Sequence, residues 1–284
     1  MRFVEDYRSQ CVRAVFRMSG FTSCWPVWRE EIAKLTKDLR DADAIYDLGS
    51  NLRAIFKLTA REGRAQADLS GGGASWEGLV CWYLNLVLTD TRAVVAKKTK
   101  ALAPTPVLDA ISVNYGNITT TSESDLLGIV FPASGDLDGA YSKAALDAFA
   151  ASNLTRIEVH NLQCKTNWND NAQIPMLWDM VYRAKGFKDT GVSVGRNGRS
   201  LGDLEAFSYS FVTVPSQKKA FKDSYMAVKR VSGLSGGNFW GQKTEIGVAW
   251  SVSEVFKKVF GDDVVGDVRG HIQCLVQNGL ISLD

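Results

Sequence analysis

Hydrophobic positions change their spacing along the chain, and this divides it into a helical start, a mixed middle and a helical end. Apolar residues recur near helical spacing over Val27 to Leu39 and again over Leu52 to Leu58. Pro26 suits the first turn of a helix, where its missing N–H costs nothing. The pattern therefore predicts a mostly helical segment over residues 1–70.

A flexible break is expected at Gly71-Gly72-Gly73, and Ser75 after it is a typical N-cap residue. The segment from Trp76 to about Leu88 is apolar on nearly all sides. This predicts a helix that is buried all round.

The middle of the chain alternates between strand and helix patterns. Four runs rich in apolar and β-branched residues predict strands: Val107 to Val113, Asp125 to Phe131, Arg156 to Lys165 and Ala206 to Val214. Tyr141 to Ala151 and Ile174 to Ala184 have helical spacing. Strands interleaved with helices indicate a compact α/β core with a central sheet flanked by helices.

The end of the chain is helical by the same criteria. Lys218 to Val231 predicts a basic helix, and residues 251–260 and 267–278 also have helical spacing. We divide the chain into a helical N-terminal region (1–70), a catalytic core (71–215) and a mostly helical C-terminal region (216–284). The last region is a candidate for DNA recognition or dimerisation.

Composition narrows the class of protein. The chain has 284 residues, 45% hydrophobic and 23% charged, which is an ordinary globular mixture. Five cysteines form no CxxC pair, which favours a reducing compartment, and two histidines are few for structural zinc. The N-terminus lacks an apolar signal segment and no apolar run reaches membrane length, so we expect a cytoplasmic protein without membrane contact. A net charge of +2 gives no general indication of nucleic-acid binding.

The segment from Ile157 to Lys165 carries the most informative chemistry. Side chains alternate between the faces of a strand, so Gln163 and Lys165 point the same way. A lysine at the end of an apolar strand is costly unless it has a partner or a role. Asp125 opens the preceding strand, and pairing of the two strands would bring it near both residues.

These groups suit cleavage of a phosphodiester bond with Mg²⁺, for which Mn²⁺ is expected to substitute. Mg²⁺ prefers hard oxygen ligands, here the Asp125 carboxylate, the Gln163 amide oxygen and the Cys164 carbonyl. The ion would polarise a phosphate oxygen and acidify a bound water. Lys165 would orient or deprotonate that water, or stabilise charge in the transition state.

The arrangement resembles the PD-(D/E)xK nuclease superfamily, and especially its type II restriction endonucleases. Asp125 matches the family's first acid, and Gln163-Cys164-Lys165 matches its triplet in the QxK variant. The resemblance implies a restriction-endonuclease-like core and a further acid from the preceding helix, for which Glu77 is suitably placed. The chain departs from the pattern at Ser124, where the family usually has proline, and at Gln163, which removes one negative charge.

Simpler interpretations remain open. In a plain α/β domain, Lys165 would extend its ammonium from a strand end and Asp125 would cap a turn. Glu158 and His160 lie on the opposite strand face from Lys165, which favours a structural role for both. Lys97, Lys98 and Lys100 are interpreted as a helix end followed by a linker.

Candidate DNA contacts fall in three segments. Asparagine and glutamine can bind base edges, tryptophan can stack, and arginine and lysine can contact phosphates. The candidates are Asn167, Trp168, Asn169, Asn171 and Gln173 after the triplet, Arg196 and Arg199 in a glycine-bearing loop, and Lys218, Lys219 and Lys222 on the basic helix. Each segment also has an ordinary explanation as a turn or a solvated charged surface. The glycine-rich segment from Gly233 to Gly241 fits either a recognition loop or a tight turn.

The sequence and the resemblance together predict a Mg²⁺-dependent endonuclease acting on double-stranded DNA, most simply a sequence-specific type II restriction enzyme. Cutting both strands favours a homodimer, and a methyltransferase modifying the same sites would accompany a restriction enzyme. The alternatives are a defence or repair nuclease of low sequence specificity, and a nucleic-acid-binding protein without catalysis.

Overall fold

The architecture was obtained as a computed structural model. It describes residues 2–59, 69–133, 139–166, 172–184, 190–215, 221–244 and 246–283. No helix within these ranges combines the length and apolar character needed to cross a membrane.

The N-terminal region is helical, as predicted. It contains α1 (Arg2–Phe16), α2 (Ser19–Thr36) and α3 (Ala42–Lys57). Pro26 lies inside α2, so its prediction as a first-turn residue was wrong. The ring of Phe21 lies 5.3 Å from that of Trp25 and 5.6 Å from that of Trp28, and this packing on either side of the proline offsets its cost within the helix.

The buried helix α4 (Leu69–Val87) begins earlier than predicted. The triple glycine 71–73 lies inside it, so the expected break at that position is wrong and Ser75 is not its N-cap. Burial explains the difference: Trp76 and Leu79 are fully buried, and such packing outweighs the low helix propensity of glycine.

The remaining elements follow in chain order. They are β1 (Ala93–Lys97), α5 (Thr105–Ala110), β2 (Val113–Tyr115), β3 (Ile118–Thr120), β4 (Leu126–Val130), α6 (Lys143–Asn153), β5 (Glu158–Lys165), α7 (Gln173–Arg183), β6 (Val192–Val194), β7 (Ala206–Thr213), α8 (Met226–Ser232), β8 (Gly237–Trp240), β9 (Trp250–Ser251), α9 (Val255–Lys258), α10 (Asp262–Val265) and α11 (Val268–Gln277).

The central sheet confirms the mixed α/β fold. Within the described ranges it has six strands in the order β1-β4-β5-β7-β8-β9, and a small second sheet has the order β3-β2-β6. β4 is antiparallel to β1 and β5, whereas β5, β7, β8 and β9 run parallel. Leu126 pairs with Leu162, so the start of β4 lies beside the end of β5.

Two hydrophobic cores cover the faces of this sheet. One contains Leu162 and Cys164 from β5, together with side chains from α2, α3, α4 and the C-terminal helices. The other contains Val159 and Tyr209, with side chains from α5, α6 and α7. The sheet is therefore buried on both faces and can hold charged groups only near its edges and strand ends.

Five local predictions differ from the structure. Residues 107–110 belong to α5 rather than a strand, since Pro106 lies in a first helical turn and the apolar residues after it are buried together. Lys97 ends the unpredicted strand β1 instead of a helix. Gly237–Trp240 is the buried strand β8 rather than a recognition loop or turn.

The predicted basic helix is reduced to α8, and residues 216–220 lie outside the described ranges. The segment 251–260 divides into a short 3-10 helix, Val252–Glu254, and α9.

Close packing joins the N-terminal helices to the C-terminal region at Gly49. A Cβ atom at this position would lie 2.3 Å from the backbone nitrogen of Ser253. We expect Gly49→Ala to lower the free energy of unfolding by about 1–3 kcal/mol through overpacking. Thermal or urea unfolding followed by circular dichroism measures the change.

Gly73→Ala is the matched control, because a Cβ atom there meets nothing within 4 Å. Its free energy of unfolding should stay unchanged or rise by up to about 1 kcal/mol, since alanine is the better helix former. Equal stability of the two variants would contradict the close contact at Gly49.

Candidate active site

Asp125 is fixed against the end of β5 by two hydrogen bonds. Its backbone N–H donates to the carbonyl of Leu162 at 3.2 Å, and its Oδ2 accepts from the backbone N–H of Cys164 at 2.7 Å. The carboxylate therefore touches the middle residue of the Gln163-Cys164-Lys165 triplet. The strand pairing brings the predicted acid and the predicted triplet together.

A second carboxylate, that of Glu123, also lies beside the triplet. The sequence analysis did not predict it. Its Oε2 accepts from Nζ of Lys165 at 3.1 Å and from Nε2 of Gln163 at 3.5 Å. The signal was available, because residues 123 and 125 are two apart and an extended chain places such residues on one side. Asp125 and Glu123 thus form a pair of acids beside the triplet.

Gln163 is completely buried, and its amide is held at both ends. Its Oε1 accepts a hydrogen bond from the hydroxyl of Tyr209 on β7 at 3.0 Å. Tyr209 is also fully buried and belongs to the core beneath this face of the sheet. The amide is therefore positioned by the protein interior on one side and by Glu123 on the other.

Lys98 contributes a second ammonium group, which the sequence pattern had assigned to a helix end and linker. Its backbone N–H donates to the carbonyl of Asp125 at 3.0 Å, and its Nζ donates to the carbonyl of Ser122. Burial lowers the pKa of Lys98 to about 8, although the charges of Asp125 and Glu123 act in the opposite direction. The short apolar run before Lys97 was the overlooked indication of a strand that ends at the site.

Glu77 approaches from the face of the sheet that α4 covers. Its Oε1 lies 3.0 Å from Nζ of Lys97, so its nearest charged partner is this lysine. Burial raises the pKa of Glu77, opposed mainly by Lys97, and the nearby charges of Asp125 and Lys165 also act on it. The predicted helical acid is therefore within electrostatic reach of the site but is engaged in an ion pair.

Burial also raises the pKa of Asp125, and Glu123 adds to that effect. The Cys164 N–H and the charges of Lys165 and Lys98 lower the pKa of Asp125 but do not cancel the effect of burial.

A partly desolvated carboxylate beside a second carboxylate and an amide is a hard oxygen donor set, which fits Mg²⁺ or Mn²⁺. In the described part of the chain, no three histidine, cysteine, aspartate or glutamate side chains form a metal-binding group. The groups found there are instead the carboxylates of Asp125 and Glu123 and the amide of Gln163, whose oxygen accepts a hydrogen bond from Tyr209.

Four of the predicted DNA-contacting residues lie in the described part of the chain. Arg196 and Arg199 lie 2.7 and 3.5 Å from the buried carboxylate of Asp109, so both guanidinium groups anchor their own loop. Gln173 and Lys222 are exposed. Asn167, Trp168, Asn169, Asn171, Lys218 and Lys219 lie outside the described residues.

Glu158 and His160 are placed away from the triplet, at the other end of β5. His160 Nδ1 lies 2.8 Å from Ser208 Oγ, and Nε2 lies 3.6 Å from Glu158 Oε2. Both contacts are internal to the fold, which agrees with the structural role expected for this pair.

No protein-family model matches this chain, and no curated protein is significantly similar to it. The geometry of the site is therefore the basis for proposing a function.

The raised pKa of Asp125 has a consequence for stability. A raised carboxyl pKa means that the protonated form favours folding: this contribution is complete below the ordinary pKa of 3.8 and is lost as pH rises through the folded-state pKa. Asp125→Asn keeps an oxygen for the Cys164 N–H without the buried charge. We expect it to be more stable than wild type at neutral pH, with the difference vanishing in acid. Unfolding in EDTA between pH 3 and 8 measures this.

Glu123→Gln is the matched control, because the Glu123 side chain is 52% exposed. Its stability should stay within about 1 kcal/mol of wild type, because exposed ion pairs contribute little and glutamine keeps an oxygen acceptor for Lys165 and Gln163. An Asp125→Asn variant less stable than wild type at pH 7 would show that the charge of Asp125 stabilises the fold.

Proposed function

We propose that this protein is a divalent-metal-dependent nuclease that hydrolyses phosphodiester bonds of double-stranded DNA. The supporting observation is the 2.7 Å hydrogen bond that joins the Asp125 carboxylate to the backbone of the Gln163-Cys164-Lys165 triplet. An acid at the start of one strand, beside a QxK triplet at the end of the next, is the pattern by which the chain resembles PD-(D/E)xK nucleases. The antiparallel pairing of β4 and β5 supplies the proximity that this chemistry needs.

The oxygen donors would be the Asp125 carboxylate, the Gln163 amide and the Cys164 carbonyl, with Glu123 as a further carboxylate. When bound, Mg²⁺ or Mn²⁺ would supply Lewis-acid polarisation of a phosphate oxygen and lower the pKa of a coordinated water. The extra acid Glu123 restores the negative charge that Gln163 removes from the usual triplet.

The two lysines supply positive charge from opposite sides of Asp125. Lys165 is held by Glu123 on the β5 side, and Lys98 is held by the Ser122 carbonyl on the β1 side. An ammonium fixed near a reacting phosphate stabilises the charge that develops in the transition state. Lys165, at the end of the triplet, would orient the attacking water. The Glu77–Lys97 pair borders the same site and would hold α4 and β1 in position beneath it.

The biological setting that we propose is a cytoplasmic type II restriction enzyme. Two identical sites related by two-fold symmetry would let a homodimer cut both strands, and a methyltransferase would protect the same sequences. Plasmid cleavage followed by end sequencing tests this setting: discrete ends support sequence-specific restriction, whereas scattered ends would indicate a nuclease of low specificity.

The catalytic roles predict a selective loss of cleavage. Asp125→Ala and Lys165→Ala should each reduce Mg²⁺-dependent cleavage by at least about 100-fold, the usual cost of losing a charge-stabilising group. Binding of duplex DNA should weaken far less than cleavage, because each residue would act at the reacting phosphate alone and the other phosphate contacts remain. Single-turnover cleavage and fluorescence anisotropy measure the two quantities.

Asp147→Ala and Lys143→Ala provide matched controls, since they remove the partners of a 2.6 Å ion pair on α6. Both should cleave like wild type. Wild-type cleavage by Asp125→Ala would exclude that residue from catalysis. A wild type that binds DNA but never cuts it with Mg²⁺ or Mn²⁺ would favour a non-catalytic binding protein.

Replacement of the triplet glutamine should change the metal requirement. Gln163→Glu adds a carboxylate to the donor set, so half-maximal activity should occur at about tenfold lower Mg²⁺. The metal dependence of the single-turnover rate measures this. Gln10→Glu introduces the same charge on α1, outside the proposed metal and DNA contacts, and should leave the metal dependence unchanged. An unaltered metal profile in Gln163→Glu would argue against coordination by residue 163.

A further inference from the structure

The orientation of the Gln163 amide conflicts with its proposed use as an oxygen ligand. Its oxygen faces Tyr209, whose hydroxyl donates to it at 3.0 Å. Its NH₂ group donates to Glu123 Oε2 at 3.5 Å. An NH₂ group has no lone pair to offer a cation, so this orientation satisfies the acids without metal.

A half-turn of the amide exchanges its two ends. The oxygen would then face Glu123 and Asp125, and the NH₂ group would face Tyr209. The glutamate or aspartate of an ordinary triplet has oxygen at both ends, so the need for this rotation is specific to glutamine. Because Gln163 is completely buried, no solvent is available to satisfy the end that turns inward.

Tyr209 has the chemistry to satisfy either orientation. A phenol hydroxyl donates one hydrogen bond and also accepts. It can therefore donate to the amide oxygen, or accept from the NH₂ group and donate elsewhere. The Ser122 hydroxyl is a hydrogen-bonding neighbour of Tyr209 and lies 3.1 Å from the hydroxyl of Ser124. A second acceptor for the phenol proton is thus present in the buried network.

We propose that Tyr209 is a positioning residue for metal binding. Its hydroxyl oxygen accepts a hydrogen bond from the NH₂ group of Gln163 when the amide oxygen turns toward Asp125 and Glu123. This inference rests on the proposed function, since it concerns the same metal site. It assigns a role in the reaction to a residue that contacts neither the substrate nor the ion.

Tyr209→Phe tests the role by isothermal titration with Mn²⁺ in the absence of DNA. The variant should bind Mn²⁺ about 10- to 100-fold more weakly, the usual cost of losing a residue that orients a ligand. Cleavage at saturating Mn²⁺ should recover, because Tyr209 acts through metal binding rather than on the reacting atoms. Tyr83→Phe is the matched control: Tyr83 is also fully buried, and its hydroxyl donates to the Tyr46 carbonyl at 2.7 Å.

A double-mutant cycle separates positioning from a general structural effect. In a Gln163→Glu background, an oxygen faces the ion in either orientation, so adding Tyr209→Phe should change Mn²⁺ affinity by less than about threefold. An equally large loss in both backgrounds, or wild-type affinity in Tyr209→Phe, would overturn the proposal.

Wild-type protein provides a test that does not depend on the folding of any variant at Tyr209. The side-chain NH₂ resonance of Gln163, identified by its absence in Gln163→Glu, should shift when Mg²⁺ saturates the site. A resonance that stays in place while Mg²⁺ binds overturns the rotation alone. A wild type that binds neither Mg²⁺ nor Mn²⁺ overturns both this inference and the proposed function.

Discussion

The hydrogen bond from the Cys164 backbone to the Asp125 carboxylate joins the start of β4 to the end of β5. Because these strands are antiparallel, the first residue of one and the last of the other meet at the same end of the sheet. β1 also ends there and brings Lys98 to the opposite side of Asp125. Three strand ends therefore converge, and the groups they carry need no long loop to hold them. The rest of the fold supports this convergence by burying both faces of the sheet.

That burial has a cost that bears on the proposed chemistry. Desolvation raises the pKa of Asp125 and of Glu77 and lowers the pKa of Lys98, so each charge is held in a less favourable environment than water. The acids and lysines offset one another through close pairs, such as Lys165 with Glu123. A divalent cation would stabilise the ionised carboxylates, and a DNA phosphate would pair with the ammonium groups. The proposed function needs such a site, with acidic groups for a cation and ammonium groups for a phosphate.

Strand alternation, a local property, placed Gln163 and Lys165 on one face, and the assumption that consecutive strands pair brought Asp125 beside them. The sequence analysis missed Lys98, because the apolar run of β1 is too short for periodicity to distinguish strand from helix. The same alternation of side chains could have predicted that Glu123 lies on one side of the chain with Asp125. Tyr209 was not predictable in this way, since its contact with Gln163 depends on the register of the parallel strands β5 and β7, which α7 and β6 separate in the chain. Burial likewise overrode the local preferences of Pro26 and of the triple glycine.

The central claim is that oxygen donors at the ends of β4 and β5 hold a divalent ion. Anomalous diffraction from crystals soaked in Mn²⁺ tests it most directly, because the signal locates the metal without reference to activity. We expect a peak within about 2.0–2.4 Å of oxygens from Asp125, Gln163 and Cys164, the range for hard divalent ions. Manganese found only elsewhere, with these oxygens retaining their hydrogen bonds to protein, would contradict the claim.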